Sequence, residues 1–104
     1  MPDYIESVDV KVSVNIYYDG SVQSRTLRYP DGTVRTLGVY LPGEFVFHSE
    51  CPETVRITSG CVDVLFPTDK KWREVKTGQI YEVPANTRFK VRCEVVTEYI
   101  CDFL

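Results

Sequence analysis

The sequence has a single histidine, His48, and no pair of cysteines separated by two residues. A transition-metal site needs three or four nitrogen, oxygen or sulfur ligands that converge on one point, so both absences argue against a metal centre. The four cysteines, Cys51, Cys61, Cys93 and Cys101, are widely spaced. We expect them to be free thiols in a reducing cytoplasm.

Long apolar runs and an excess of basic residues are also absent. No window approaches the roughly eighteen consecutive apolar residues of a membrane-spanning helix. With 12 basic and 15 acidic residues the net charge is −3, which provides no basic surface for nucleic acid and no polybasic patch for a membrane. The first residues, MPDYIESVDVKVSV, carry neither a positive leader nor an apolar core, so we expect no secretory signal.

The chain contains instead a succession of short runs rich in Val, Ile, Thr, Tyr and Phe, separated by turn sequences such as YDG, PDG and PG. Many runs alternate with period two, as do Val62, Val64 and Phe66 around Asp63. No stretch has a sustained helical period. The pattern predicts one all-β domain spanning 1–104, an antiparallel sandwich or barrel. Residues 1–14 are predicted to be an arm or an added edge strand.

The segment GEFVFHSECPETVRITSG, residues 43–60, places His48 and Glu53 at fixed distances between Gly43 and Gly60. A second glycine-bounded block, GQIYEVPANTRF, begins at Gly78. These blocks resemble the two sequence motifs of cupin barrels, and the resemblance implies a jelly-roll-like cupin fold. In metal-binding cupins the first motif supplies two histidines and a glutamate, and the second supplies a third histidine.

The cupin resemblance assigns the four ligand positions to Val46, His48, Glu53 and Phe89. Two of these residues are apolar, and the chain has no other histidine to complete the set. His48 and Glu53 alone would make only a weak, open metal site. We therefore expect a cupin that binds no metal.

A second resemblance covers residues 17–104. The blocks TLGVYLPGEFVFHSECPE, SGCVDVLFP and VTEYICDFL, with VPAN between the last two, resemble the pyrimidine/purine nucleoside phosphorylases in order and spacing. This family consists of small, single-domain, metal-free cupins. The resemblance implies reversible phosphorolysis of many purine and pyrimidine nucleosides to the free base and α-D-ribose 1-phosphate. Inorganic phosphate would be the co-substrate, with no cofactor, and we expect a cytoplasmic homodimer.

The residue chemistry is compatible with this reaction. The transition state at the sugar has oxocarbenium character, so a nearby carboxylate stabilises the ring or holds its hydroxyls. Glu53 suits that role if it points inward, as its counterpart does in cupins. His48 is predicted to be an auxiliary group that contacts phosphate or a hydroxyl near neutral pH. These two are the predicted catalytic residues.

Strand alternation extends the predicted site. An inward Glu53 places Val55 and Ile57 inside as well, with Thr54 and Arg56 outside. The same alternation puts aromatic side chains on the lining, and stacking on them would tolerate any base. Inward aromatic residues in a small barrel also serve simply to fill it. The predicted walls of the substrate site are Tyr81, Phe89 and Tyr99.

Arginine is the natural ligand for phosphate because its planar fork matches an oxyanion. Among the arginines near turns or strand ends, we select Arg35 and Arg88 because both lie close to the motif segments.

Two alternative functions stay open at this point. One is a metal-dependent cupin enzyme, such as a dioxygenase or an isomerase, with His48 and Glu53 as ligands. The other is a non-catalytic module that binds a small sugar or nucleotide.

Overall fold

The computed structural model describes residues 3–104, so the first two residues of the predicted arm lie outside it. The described chain forms strands joined by tight turns and one 3-10 turn at Tyr18–Gly20. No helix among these residues is long and apolar enough to cross a membrane. The strands are β1 Asp9–Val10, β2 Asn15–Tyr17, β3 Val22–Arg28, β4 Val34–Tyr40, β5 Gly43–His48, β6 Glu53–Ser59, β7 Cys61–Leu65, β8 Arg73–Lys76, β9 Ile80–Val83, β10 Arg88–Cys93 and β11 Thr97–Phe103.

The strands pair antiparallel in two sheets. The larger sheet has the order β1-β3-β4-β11-β6-β9, with β2 also paired to β3, and the smaller sheet has the order β5-β10-β7-β8. From β4 onward the chain switches between the sheets at nearly every turn. The sequence prediction of an all-β antiparallel sandwich is confirmed.

The core lies between the two sheets and consists of side chains at alternate strand positions. Ile57, Val64 and Val91 have no exposed surface and lie at its centre. Val62 and Phe66 are buried on the same side of their segment, as the period-two pattern predicted. Removing these apolar side chains from water provides most of the stabilisation of such a sandwich.

The turn between β6 and β7 requires glycine. Gly60 has a φ of +102°, and a Cβ at this position would lie 2.5 Å from the Thr97 side-chain oxygen. That oxygen accepts a hydrogen bond from the backbone N–H of Cys61 at 3.2 Å. The turn is thereby tied to the first residue of β11, which fixes the end of β6 against its neighbouring strand.

Tyr18 in the 3-10 turn contacts β5 of the smaller sheet through both its hydroxyl and its ring. Its hydroxyl accepts a hydrogen bond from the backbone N–H of Val46 at 2.9 Å and donates to the carbonyl of the same residue. Its ring packs against Phe45, with centroids 5.2 Å apart. Because β5 is an edge strand of the smaller sheet, this contact satisfies backbone groups that would otherwise be unpaired.

Candidate functional site

A cavity of about 310 Å³, partly open to solvent, lies between the two sheets. This volume is at the lower end of the range for small-molecule sites, roughly 300–1,000 Å³. The cavity is lined by Tyr17, Val22, Ser24, Thr36, Tyr40, Phe47, His48, Glu50, Glu53, Val55, Tyr81, Phe89, Tyr99, Cys101 and Phe103.

The structure brings five of the seven sequence-predicted site residues to this cavity, namely His48, Glu53, Tyr81, Phe89 and Tyr99. They come from five different strands of both sheets. Their proximity therefore depends on how the sheets are assembled. The roles assigned to them from the sequence stay predictions.

The predicted phosphate ligand Arg35 lies outside the cavity. Its neighbour Thr36 lines the cavity, so alternation along β4 turns Arg35 to the opposite face of the sheet. There Arg35 forms an ion pair with Asp102 of the adjacent strand. Its guanidinium also stacks over the Tyr29 ring, 5.1 Å from the centroid.

Arg88, the other predicted phosphate ligand, is exposed at the start of β10 and does not line the cavity. It is the direct cross-strand partner of His48 on β5, so the two side chains emerge on the same face of the smaller sheet. Arg88 is therefore adjacent to the part of the cavity that His48 borders.

His48 reaches the cavity only at its rim. On β5 the side chains of Phe45 and Phe47 pack into the core, which gives His48 the opposite orientation. His48 is exposed at the end of the strand and still borders the cavity there. It is thus more peripheral than Glu53, although the sequence analysis predicted both to be catalytic residues.

Glu53 is half-buried at the start of β6. The Cys101 thiol donates a hydrogen bond to its Oε1 across 3.4 Å. Burial raises the pKa of Glu53 from its ordinary value of 4.5, and the thiol contact partly opposes this increase. Burial and the nearby carboxylate also raise the pKa of Cys101, so the thiol keeps its proton at neutral pH.

Three tyrosines form the aromatic part of the cavity. The Tyr40 ring stacks on Tyr99 with centroids 4.4 Å apart and planes at 20°, and the hydroxyls of Tyr40 and Tyr81 are 3.2 Å apart. Burial raises the pKa of all three phenols, so they are neutral hydrogen-bonding groups near pH 7. The sequence analysis missed Tyr40, although alternation along β4 puts it on the same face as Thr36.

Buried hydroxyls provide a further polar element. Ser24 and Thr36 are 5% and 8% exposed on neighbouring strands of the larger sheet. The Asn15 side-chain amide donates to the Ser24 hydroxyl at 3.1 Å. The cavity thus combines aromatic rings, hydroxyls and the Glu53 carboxylate, which suits a ligand with a flat ring and several hydroxyl groups.

The described residues do not offer a metal site. Within 3–104, no three His, Cys, Asp or Glu side chains are grouped so that they could hold a metal ion. The two cupin ligand positions that lack histidine carry Val46, which does not line the cavity, and a buried Phe89. The donor set around His48 and Glu53 therefore does not fit a transition metal.

The protein is a small cupin. It has two antiparallel sheets with a cavity between them, and Glu53 of the first motif lines that cavity.

Comparison with known proteins identifies the family. The family model described as pyrimidine/purine nucleoside phosphorylase matches residues 12–103. Two proteins named pyrimidine/purine nucleoside phosphorylase are similar to this chain. The one from Geobacter sp. (strain M21) is 45% identical over 98 residues, 94% of this chain and 95% of that protein. The one from Sulfurovum sp. (strain NBC37-1) is 43% identical over 99 residues, 95% of this chain and 96% of that protein.

A solved structure has the same fold. The crystal structure of a protein of unknown function from Acinetobacter sp. ADP1 matches with a TM-score of 0.94 and 32% identity, covering 97% of this chain and 98% of that one. The chain belongs to the pyrimidine/purine nucleoside phosphorylase family.

Proposed function

We propose that this protein catalyses the reversible phosphorolysis of purine and pyrimidine nucleosides to the free base and α-D-ribose 1-phosphate. It is then a pentosyltransferase, a glycosyltransferase of broad specificity that uses inorganic phosphate and no cofactor. The observation that carries the proposal is a half-buried carboxylate, Glu53, beside stacked tyrosines in the cavity of a chain from this family.

The aromatic lining supports broad base specificity. Tyr40, Tyr99 and Phe89 contribute aromatic rings to the cavity lining, and stacking on aromatic rings is available to every base because each has a π-face. The described aromatic side chains of the lining are uncharged, and their tyrosine hydroxyls can both donate and accept, so they favour no single pattern of donors and acceptors on the base. Purines and pyrimidines would therefore both be accepted.

Glu53 acts on the sugar. When the bond to the base breaks, positive charge develops on the ribose ring, and an ionised carboxylate nearby stabilises it. The Cys101 thiol occupies one carboxylate oxygen, which leaves the other oxygen to accept a hydrogen bond from a ribose hydroxyl.

Phosphate is expected to bind at the rim. Among residues 3–104, no lysine or arginine lines the cavity, which carries two carboxylates, Glu50 and Glu53. The nearby positive charge is supplied by Arg88, opposite His48 across the β5–β10 pair. We assign phosphate to these two residues in preference to Arg35, which pairs with Asp102 on the far face of the sheet.

We also propose that the protein acts as a cytoplasmic homodimer. Support for dimerisation comes from apolar side chains left in solvent near the N-terminus, where Val12 is 92% exposed and Val10 is 56% exposed. A second copy that covers them would gain stability from their burial.

The decisive experiment incubates the purified protein with uridine and, separately, with adenosine, each with and without inorganic phosphate. We expect both free bases to be released only when phosphate is present, together with ribose 1-phosphate in equal amount. Base release that is indifferent to phosphate, or saturable binding with no release, would overturn the proposal. The same assay after dialysis against a chelator, with metal content measured, tests the metal-dependent alternative, which predicts loss of activity.

A further inference from the structure

We propose that Cys101 is a positioning residue whose thiol holds the Glu53 carboxylate in a fixed orientation inside the cavity. For the part that concerns substrate, this inference rests on the proposed function. For the contact itself, it rests on the strand geometry alone.

The pairing of β6 with β11 creates the contact. In this register Cys101 is opposite Val55, and Phe103 is opposite Glu53. Cys101 and Glu53 are therefore diagonal neighbours on the cavity face of the sheet. The Sγ–Oε1 distance is 3.4 Å, short enough for a hydrogen bond from a thiol to a carboxylate. Among residues 3–104, the Cys101 thiol is the one side chain that hydrogen-bonds to this carboxylate.

Cys101 is well suited to hold another side chain in place. It is 4% exposed on a strand that pairs with β4 on one side and β6 on the other. Its short side chain has one rotatable bond before the sulfur, so its position is fixed by the sheet. Glu53 has a longer side chain at the very start of its strand. Its orientation therefore depends on a partner of this kind.

A thiol also leaves the carboxylate available for substrate. It is a weak donor with one proton, so it restrains Oε1 while Oε2 stays free to accept from a sugar hydroxyl. The contact favours the ionised form of Glu53 against the effect of burial, which raises the pKa of this residue. The other titratable groups that line the cavity are Tyr17, Tyr40, His48, Glu50, Tyr81 and Tyr99.

Another buried cysteine provides the matched control. The Cys93 thiol donates to the backbone carbonyl of Leu41 at 3.3 Å, and Cys93 does not line the cavity. Its replacement by alanine removes the same atoms from the same type of environment. It leaves Glu53 and its partner untouched.

The kinetic test compares Cys101→Ala, Cys101→Ser and Cys93→Ala by the pH dependence of kcat/KM. Loss of the donor should lower kcat/KM roughly threefold to tenfold for Cys101→Ala. The low-pH side of the kcat/KM profile, the acid limb, should move to higher pH by roughly half to one unit because the ionised form of Glu53 loses a hydrogen bond. Cys101→Ser keeps a hydrogen-bond donor, so its kcat/KM and the pH of its acid limb should both be close to the wild-type values. Cys93→Ala should keep the wild-type acid limb. An unchanged acid limb in Cys101→Ala, or equal losses in Cys101→Ala and Cys101→Ser, would overturn the proposal.

A test that needs no activity separates this inference from the proposed function. The Glu53 carboxyl carbon is followed by NMR during a pH titration of wild type and Cys101→Ala, with Glu53→Gln used to assign the signal. We expect a higher Glu53 pKa in Cys101→Ala even if the protein cleaves no nucleoside. If the alanine variant does not fold, Cys101→Val fills the space without a donor and takes its place. An unchanged Glu53 titration refutes the positioning role whatever the assay shows.

Discussion

The Tyr99 ring occupies the space that a side chain at Gly38 would need. These residues are direct cross-strand partners in the β4–β11 pair. A Cβ on Gly38 would lie 2.5 Å from the Tyr99 hydroxyl oxygen and closer still to the ring. The missing side chain allows Tyr99 to pack against β4, where its ring stacks on Tyr40.

Replacing Gly38 with alanine should displace the Tyr99 ring. The overlap is with the outer end of a rigid, buried ring that has little room to move. We therefore expect a loss of about 1–3 kcal/mol in the free energy of unfolding. Because Tyr99 lines the cavity, kcat/KM for nucleosides should fall roughly tenfold to a hundredfold. Val39→Ala, at the next position of the strand and on its other face, is the control for both measurements. Wild-type kinetics in Gly38→Ala would show that the ring position is not needed.

Neutralising the Glu53 carboxylate should abolish most of the activity. Glu53→Gln keeps the shape of the side chain and an acceptor oxygen for the Cys101 thiol, but it removes the negative charge. We expect kcat to fall roughly a hundredfold or more, by analogy with other groups that act on the transition state. Glu50→Gln removes the exposed carboxylate from the same cavity and should have a much smaller effect. Equal losses in the two variants would contradict the assignment of Glu53.

The same Glu53→Gln variant should change how stability depends on pH. Burial raises the pKa of Glu53 above 4.5, so in this range the folded state binds more protons at this site than the unfolded state does. The contribution of Glu53 to the free energy of unfolding therefore decreases as the pH rises from about 4.5 through the raised pKa.

Glutamine lacks this titration, so the stability of Glu53→Gln relative to wild type should increase over that pH range and then stay constant. Urea unfolding between pH 4 and pH 7 measures the difference. A difference that is flat with pH, or that decreases, would show that Glu53 is not desolvated in the folded protein.

The two arginine candidates are distinguished by the KM for phosphate. Arg88→Ala should raise it roughly tenfold while changing the KM for uridine little, because an arginine–phosphate contact is a charge-assisted hydrogen bond. Arg35→Ala should leave both values close to wild type, since Arg35 pairs with Asp102 on the other face of the sheet. The reverse result would place phosphate on that outer face.

Much of the fold was accessible from the sequence because turns and alternation are local properties. The alternating run around Asp63 corresponds to β7, Cys61–Leu65, and to the buried Phe66 that follows it. The sequence analysis did not identify β2, which is three residues long. Such short strands have too few positions for a period to be recognised, and their pairing with a neighbour stabilises them.

The candidate site was predictable to the extent that it depends on alternation. An inward Glu53 predicted buried Val55 and Ile57, and both are buried. Tyr40 was missed because nothing local distinguishes a tyrosine that lines a cavity from one that fills a core. Its contacts with Tyr81 and Tyr99 in the cavity join residues that are 41 and 59 positions apart in the sequence.

The sequence alone determined that the chain forms alternating antiparallel strands, which side of the regularly alternating strands faces the core, and that two of the three histidine positions of the cupin motifs are apolar. These features follow from side chains that are near one another along the chain. Only the tertiary structure decided that Arg35 faces away from the cavity, that His48 lies at its rim and that the Cys101 thiol meets the Glu53 carboxylate. The last contact depends on the register between β6 and β11, which is set by the packing of the whole sandwich and not by either strand alone.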